Sequence, residues 1–250
     1  MIKLFRTIRR RLFAENRLSN YLFYALGEII LVVIGILIAL QINNWNESRK
    51  QEARTQVYYQ QLLDDLNEDK AYAQFIISKF EKQRTAYNKY IEGFDNSGYT
   101  RNAMYNDLLA LNLESYAINF NISTLESLQN SGEIVLLPPE LRNKLLDLRR
   151  HQQKVTSDES LDNKAKSDVT EHLSILMGAQ DLEKRLNNQK SLKEALNLEK
   201  NKNEIILTLE AIQGWMNFSE LKSIRLLRDL INEIDDVKIS ILQQVSKEED

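Results

Sequence analysis

One carboxylate stands where carboxylates are rare. Glu28 lies inside Tyr21 to Ile42, YLFYALGEIILVVIGILIALQI, in which Ile29 to Leu40 is unbroken apolar sequence. An ionisable group in such a segment is costly to expose to lipid, so it turns toward protein, water or headgroups. At about 100° per residue, Tyr21, Tyr24, Glu28, Val32, Gly35 and Ala39 fall within about 40° of one line along a helix. That line holds the small-xxx-small pair Gly35 and Ala39, a spacing that lets two helix backbones approach closely. Three roles stay open for Glu28: a hydrogen bond joining subunits, a proton or cation site, or a carboxylate that reaches the inner headgroups and pairs with an N-terminal arginine.

The other residue types that do chemistry are not arranged to do it. His151 and His172 are the only histidines and cysteine is absent; neither histidine has a second ligand at helical spacing, so a metal site lacks donors. No Gly-x-Ser-x-Gly elbow, Gly-x-Gly-x-x-Gly turn or P-loop occurs. Asp64-Asp65, Asp235-Asp236 and Glu248-Glu249-Asp250 read as solvated helix faces or a frayed end, since paired carboxylates act as acid and base only in a cleft. The expectation is a protein that is not an enzyme, with no cofactor, no metal and no small-molecule substrate.

A run of about 20 apolar residues is the length that crosses a bilayer as a helix. The long segment before it, and the lack of an Ala-x-Ala site after Ala39, favour a retained anchor over a cleaved signal peptide. Lys3, Arg6, Arg9, Arg10, Arg11 and Arg17 precede the span against the single acid Glu15, whereas Asn43 to Ser48 carries only Glu47. Lysine and arginine stay on the cytoplasmic side, which puts the N-terminus inside and about 200 residues outside. Apolar Ile2, Phe5, Ile8, Leu12 and Phe13 interleave with the arginines, so residues 1–20 serve either as an amphipathic arm on the inner leaflet or as a topology signal alone. Trp45, and Tyr21 and Tyr24 at the other end, suit the two headgroup levels. Taking the arm's +5 and Glu28 away from the −3 of the whole chain leaves −7 for residues 47–250. That balance does not suit nucleic acid or an anionic lipid surface.

The outer part reads as all-α: seven glycines and two prolines occur in 250 residues, and strand-like alternation is nowhere sustained. Tyr59, Leu62, Leu66, Asp69, Ala73, Ile76, Phe80, Gln83, Tyr87 and Tyr90 recur at spacings of three and four, a heptad seam with polar residues at two positions. Ile224, Leu227, Ile231, Ile234, Lys238, Ile241 and Val245 form a second. The spacing predicts two long helices, about 47–92 and 220–247, pairing as an antiparallel stalk within or between chains. A helix continuing from the span into the first seam is expected, either unbroken or with a joint at Asn43 to Asn46, then a turn at Gly93 to Gly98 and a helical head over about 95–219. Within the head, Ser123-Thr124-Leu125-Glu126 fits a capping box and Gly132 a stop. Pro138 or Pro139 starts a helix to about Gln153, Ser157-Asp158 opens another that Gly178 closes, and shorter helices fill 181–218.

Tyr24 to Glu47, YALGEIILVVIGILIALQINNWNE, resembles the N-terminal signature of an uncharacterised family of single-pass membrane proteins common in Bacteroidota. Gly27, Glu28, Gly35, Ala39, Gln41, Asn43, Asn44, Trp45 and Asn46 carry the likeness. Ser123 to Leu141, with Leu125, Leu128, Ser131-Gly132, Leu136 and Leu141-Arg142, is similar to that family's second segment. The resemblance implies an inner-membrane anchor with a periplasmic helical domain, and brings no activity with it. Two functions are therefore expected: assembly, as a homo-oligomer or with an envelope protein complex, or an ion-coupled or sensory membrane subunit working through Glu28. Single-pass subunits of flagellar and biopolymer-transport motors similarly hold one carboxylate in the inner part of their helix.

Overall fold

Helix formers run without a break from the span into the first heptad seam, and they fold as one helix, α1 (Leu18–Glu92), of 75 residues. The computed structural model describes residues 18–178 and 182–248. It divides into two units, Met1–Val57 and Tyr58–Asp250. In the first unit α1 continues through Asn43 to Asn46 with no joint. The helix continues from the span as expected and holds no joint there, because asparagine lowers helix propensity without removing a hydrogen bond as proline does.

The second unit holds the rest of α1 and α2 (Arg101–Ala110), α3 (Ser123–Ser131), α4 (Pro139–Met177), α5 (Leu182–Arg185), α6 (Lys190–Leu196) and α7 (Leu198–Glu248). No strand occurs among the described residues; the fold is all-α. The long first and last helices run antiparallel, joined by Lys70 to Asp235 at 2.6 Å, Glu81 to Arg228 at 2.6 Å and Arg84 to the Asn217 carbonyl. A third long helix lies with them. On α4, Leu141, Leu145, Leu148, Gln152, Val155, Glu159, Lys166 and Leu173 are buried, a heptad stripe facing α1 and α7. Stalk and head are thus not separate layers: residues assigned to the head supply the third helix of the bundle.

Eight of the ten seam positions on α1 are buried, and Gln83 and Tyr87 are half-buried. On α7 the seam is shifted. Leu227, Ile234 and Ile241 are buried as expected, but the positions between them are Leu230 and Val237, and Ile231 and Lys238 are only half-buried. Two neighbouring helices widen the apolar stripe beyond a two-stranded seam, and Leu230-Ile231 offers an apolar side chain in either register. α7 also begins at Leu198, well before residue 220, because Ile205, Ile206, Leu209, Ile212 and Met216 bury its first half and outweigh the roughly 1 kcal/mol helix penalty of Gly214.

Local signals hold at several boundaries. Gly132 closes α3 in the left-handed region with φ +75°, Pro139 is the first residue of α4, and Gly178 ends it with φ +66°. The turn at Gly93 to Gly98 opens as a 3-10 turn, Gly93–Asp95. Ser157-Asp158 starts nothing; both lie inside the single helix α4, where burial of Val155 and Glu159 overrides the capping preference. Ser123 is the first residue of α3 rather than its cap. The free amides there are served by α1: Asp65 accepts from Thr124 N–H at 3.4 Å and Asp69 from Asn121 N–H at 2.7 Å.

Candidate functional site

In the first unit the residues expected to matter share an uncovered helix. From Leu26 to Lys50 the side chains are exposed, Glu28 and Ala39 among them. A methyl group added at Gly35 would meet no atom within 4 Å. α1 therefore carries an apolar stretch long enough to cross a membrane and not buried by the chain itself. Trp45 is 60 % exposed and stacks under the Arg49 guanidinium, 5.3 Å from its ring centroid, which gives the ring a polar rim. Tyr24 is half-buried and Tyr21 falls within α1. Lys3, Arg6, Arg9, Arg10, Arg11 and Arg17 lie outside the described residues.

The second unit contains polar layers that the charge pattern does not announce. Its apolar core is three clusters. One joins Tyr59, Leu62 and Leu66 to Leu145, Leu148, Leu230 and Ile234. The next joins Ala73, Ile76 and Phe80 to Val155, Ile224 and Leu227. The last joins Tyr90 to Leu173, Ile205, Leu209 and Met216.

Between the first two clusters sits Asp69, 3 % exposed, whose carboxylate accepts from the Asn121 N–H and from Gln152 Nε2, both at 2.7 Å. Burial pushes its carboxyl up to about 6, despite those two donors. A cavity of about 20 Å³ adjoins this layer, lined by Leu62, Leu66, Leu125, Leu145 and Leu148 with Asp65, Asn121 and Gln152. That is room for one water molecule with polar partners on one side.

Between the second and third clusters lies a larger layer. Glu159 on α4 accepts from Ser223 Oγ on α7 at 2.5 Å, and Asp162 pairs with Lys222 at 2.6 Å. Lys166 and Glu220, both buried, face one another across the same helices, with Arg84 of α1 close to Glu220. Burial raises the Glu159 carboxyl and lowers the Lys166 ammonium. It pushes Glu220 up to about 8, against the pull of Lys166 and Arg84, so Glu220 is a neutral acid at pH 7. The amide oxygens of Gln83 and Asn217 are buried here with no donor among the described residues.

The layers also fasten a segment of a different kind. Residues 111–122 form neither helix nor strand and lie along the bundle, with only Ile118 fully buried. Their carbonyls are taken by side chains of all three long helices. Tyr72 and Gln83 of α1 bond Ala117 and Glu114, Asn163 and Lys166 of α4 bond Tyr116 and Leu113, and Gln213 of α7 bonds Asn112. A strap outside helix and sheet must find its hydrogen bonds this way, since an orphaned backbone carbonyl against the bundle is costly.

The two histidines join the same helix pair: His151 meets Glu233 at 3.0 Å and His172 meets Glu204 at 3.1 Å. Both are links between α4 and α7.

Both the span and the α1 side of the two layers lie in one stretch of chain. Residues 28–93 match a family of unknown function, DUF6090. The DUF6090 segment opens at Glu28, includes Gly35 and Ala39, and closes at the turn after α1, so it carries Asp69, Gln83, Arg84 and Tyr90 as well. Ser123 to Leu141 falls outside the matched range. No curated protein and no solved structure matches the chain. Sequence reading pointed to Glu28, Gly35 and Ala39; the buried Glu159, Lys166 and Glu220 went unnoticed. The one signal for the layers was the presence of Asp69 and Gln83 in an otherwise apolar seam.

Proposed function

We propose that this chain is a non-enzymatic, membrane-anchored assembly protein, held in a bacterial inner membrane by α1 with its helical domain on the periplasmic side. The observation that carries the reading is the uncovered face of the span: Glu28 and Ala39 exposed, and open space at Gly35. A second span that packs there meets small residues and gains a carboxylate hydrogen bond away from lipid. The interior layers support a structural role for the second unit, because their ionisable groups are sandwiched between apolar clusters and spent on holding α4, α7 and the strap in register. Buried polar groups of this kind fix one arrangement of helices at a cost in stability.

The test is association in native-like membranes. Gly35→Leu disrupts the complex and Glu28→Gln weakens it at most slightly. A protein that is monomeric by mass measurement in mild detergent, with nothing co-purifying, sinks the reading. The alternative, an ion-coupled or sensory subunit, rests on the same exposed Glu28; it requires Glu28→Gln to abolish activity while the complex stays whole.

A further inference from the structure

The face that carries Glu28, Gly35 and Ala39 does not end with the apolar run. At about 100° per residue, Ile42, Asn46, Ala53 and Val57 fall within about 40° of the same line along α1, and all four are exposed. Glu28, Gly35 and Ile42 are seven residues apart, and so are Val32, Ala39, Asn46 and Ala53. These are the two alternating positions of a heptad seam. Thr55, on the other side of the helix, is buried, so the line keeps to the open side of α1 as far as Val57, the last residue of the first unit. Arg49 and Lys50 flank the line, and each is drawn away from it. The Arg49 guanidinium lies 5.3 Å from the centroid of the Trp45 ring, and Lys50 pairs with Glu47 at 3.9 Å. Trp45 and Glu47 stand about 100° to either side of Asn46, which leaves the line between them clear of charge. From Asn43 to Arg54 no side chain is buried, and a helix draws its stability from a packed face more than from propensity.

We propose that this face binds the same face of a second copy of the chain, parallel and in register, with Gly35 facing Gly35 in the span and Asn46 facing Asn46 beyond it. The proposal rests on the assembly reading and deepens it by naming the partner, its direction and its register. Two anchored copies of one chain cross a membrane the same way, so a parallel pair is the arrangement that their spans allow. A two-fold interface must be complementary to itself. In an in-register pair each residue meets its own counterpart, and the line fits that demand. Small meets small at Gly35 and Ala39, where the backbones come closest, and apolar meets apolar at Val32, Ile42 and Val57.

The two polar members of the line fit it as well. An asparagine amide both donates and accepts, so Asn46 bonds Asn46 of the other copy. A single asparagine in such a seam fixes two strands and one register at a cost in stability. Glu28 meets Glu28, and carboxyl groups so placed hold one proton between them, which gives each a hydrogen-bond partner away from lipid. A glutamine pair keeps that bond, since an amide also donates and accepts.

The chain has no cysteine, so single cysteines report cleanly. Full-length chains carrying Ile42→Cys, Ala53→Cys, Asn44→Cys or Gln51→Cys are oxidised in membranes; the last two positions lie on the far side of the helix. The expected result is a cross-link of Ile42→Cys with itself and of Ala53→Cys with itself, with background levels at Asn44→Cys and Gln51→Cys. Adding Gly35→Leu brings the Ile42→Cys cross-link to background. Differently tagged Ile42→Cys and Ala53→Cys chains, expressed together, do not cross-link to one another. The helix holds the two positions about 16 Å apart, and a disulfide spans at most about 7 Å between Cα atoms. Equal cross-linking on both sides of the helix, or a link between the two tags, overturns the pair. Mass measurement in mild detergent separates the two readings. If the chain assembles with another protein while neither Ile42→Cys nor Ala53→Cys cross-links, the inference fails and the assembly reading stands; if the chain is monomeric with nothing co-purifying, both fail.

Discussion

Replacing Glu220 by glutamine removes one buried acid without changing its shape, and its effect on stability must depend on pH. The folded protein holds this carboxyl at about 8, against 4.5 for the unfolded chain. The protonated acid is the form the fold prefers. Its contribution is fully present below pH 4.5, is lost as pH rises toward 8, and is constant above that. At pH 7 the folded acid is still protonated while the unfolded one is ionised, and at about 1.4 kcal/mol per pH unit the interval from 4.5 to 7 comes to roughly 3 kcal/mol. Glu220→Gln therefore stabilises the protein by about that amount at pH 7 and by almost nothing at pH 4. The assay is urea unfolding of the full-length chain in detergent, followed by far-UV circular dichroism at intervals from pH 4 to 9. The residual slope of the variant between pH 4 and 6 belongs to Asp69 and to Glu159, also raised by burial. If wild-type and variant curves stay parallel from pH 4 to 8, the account of this layer is wrong.

Three further outcomes follow from the same structure. Asp69→Asn removes Asp69's share of the slope between pH 4 and 6; it destabilises by about 1–3 kcal/mol at pH 4, because the amide offers one acceptor where Asn121 N–H and Gln152 Nε2 need two, and by less as pH rises toward 6, and the same urea series reads both effects. Lys166→Met changes global stability little, since a buried charge and its desolvation leave together, but it frees the Leu113 carbonyl and speeds amide hydrogen exchange across residues 111–122 relative to α4. Gly132→Ala, at φ +75° with open space around it, costs about 1 kcal/mol through backbone strain alone, visible as a shift in urea midpoint with unchanged slope.

What the sequence could tell was set by where the deciding contacts lie. The α1 seam was legible down to single residues because one helix face makes one periodic stripe, and Asp69 and Gln83 stood out as the polar members of that stripe. The α7 seam was legible only to within a residue, because Leu230-Ile231 left its register to the packing of α4. Lys166, Glu159 and Glu220 were not legible at all. Each is a single charged residue in a charged helix, and its burial is decided by partners 50 to 60 positions away or further: Lys166 by Leu113, Glu159 by Ser223. The strap was silent for the same reason. Leu111 to Ile122 has neither helical nor strand periodicity, and its shape is dictated by donors on three other elements. Glu28, Gly35 and Ala39 stand out in the sequence because a bilayer-length apolar run makes any polar or small residue conspicuous, and the structure leaves them uncovered.

The clasped strap also sets an order of events. Its fastenings reach from Tyr72 and Gln83 forward to Asn163, Lys166 and Gln213, and Asp69 waits for Gln152. A ribosome adds roughly 5–20 residues each second, so the first half of the domain exists for several seconds or more before the residues that complete it are made. During that interval the Tyr59 to Tyr90 stripe and an acid that belongs indoors are bare. The domain is therefore completed from its far end, and a truncation within α7 leaves the α1 stripe made before it without the helix that covers it.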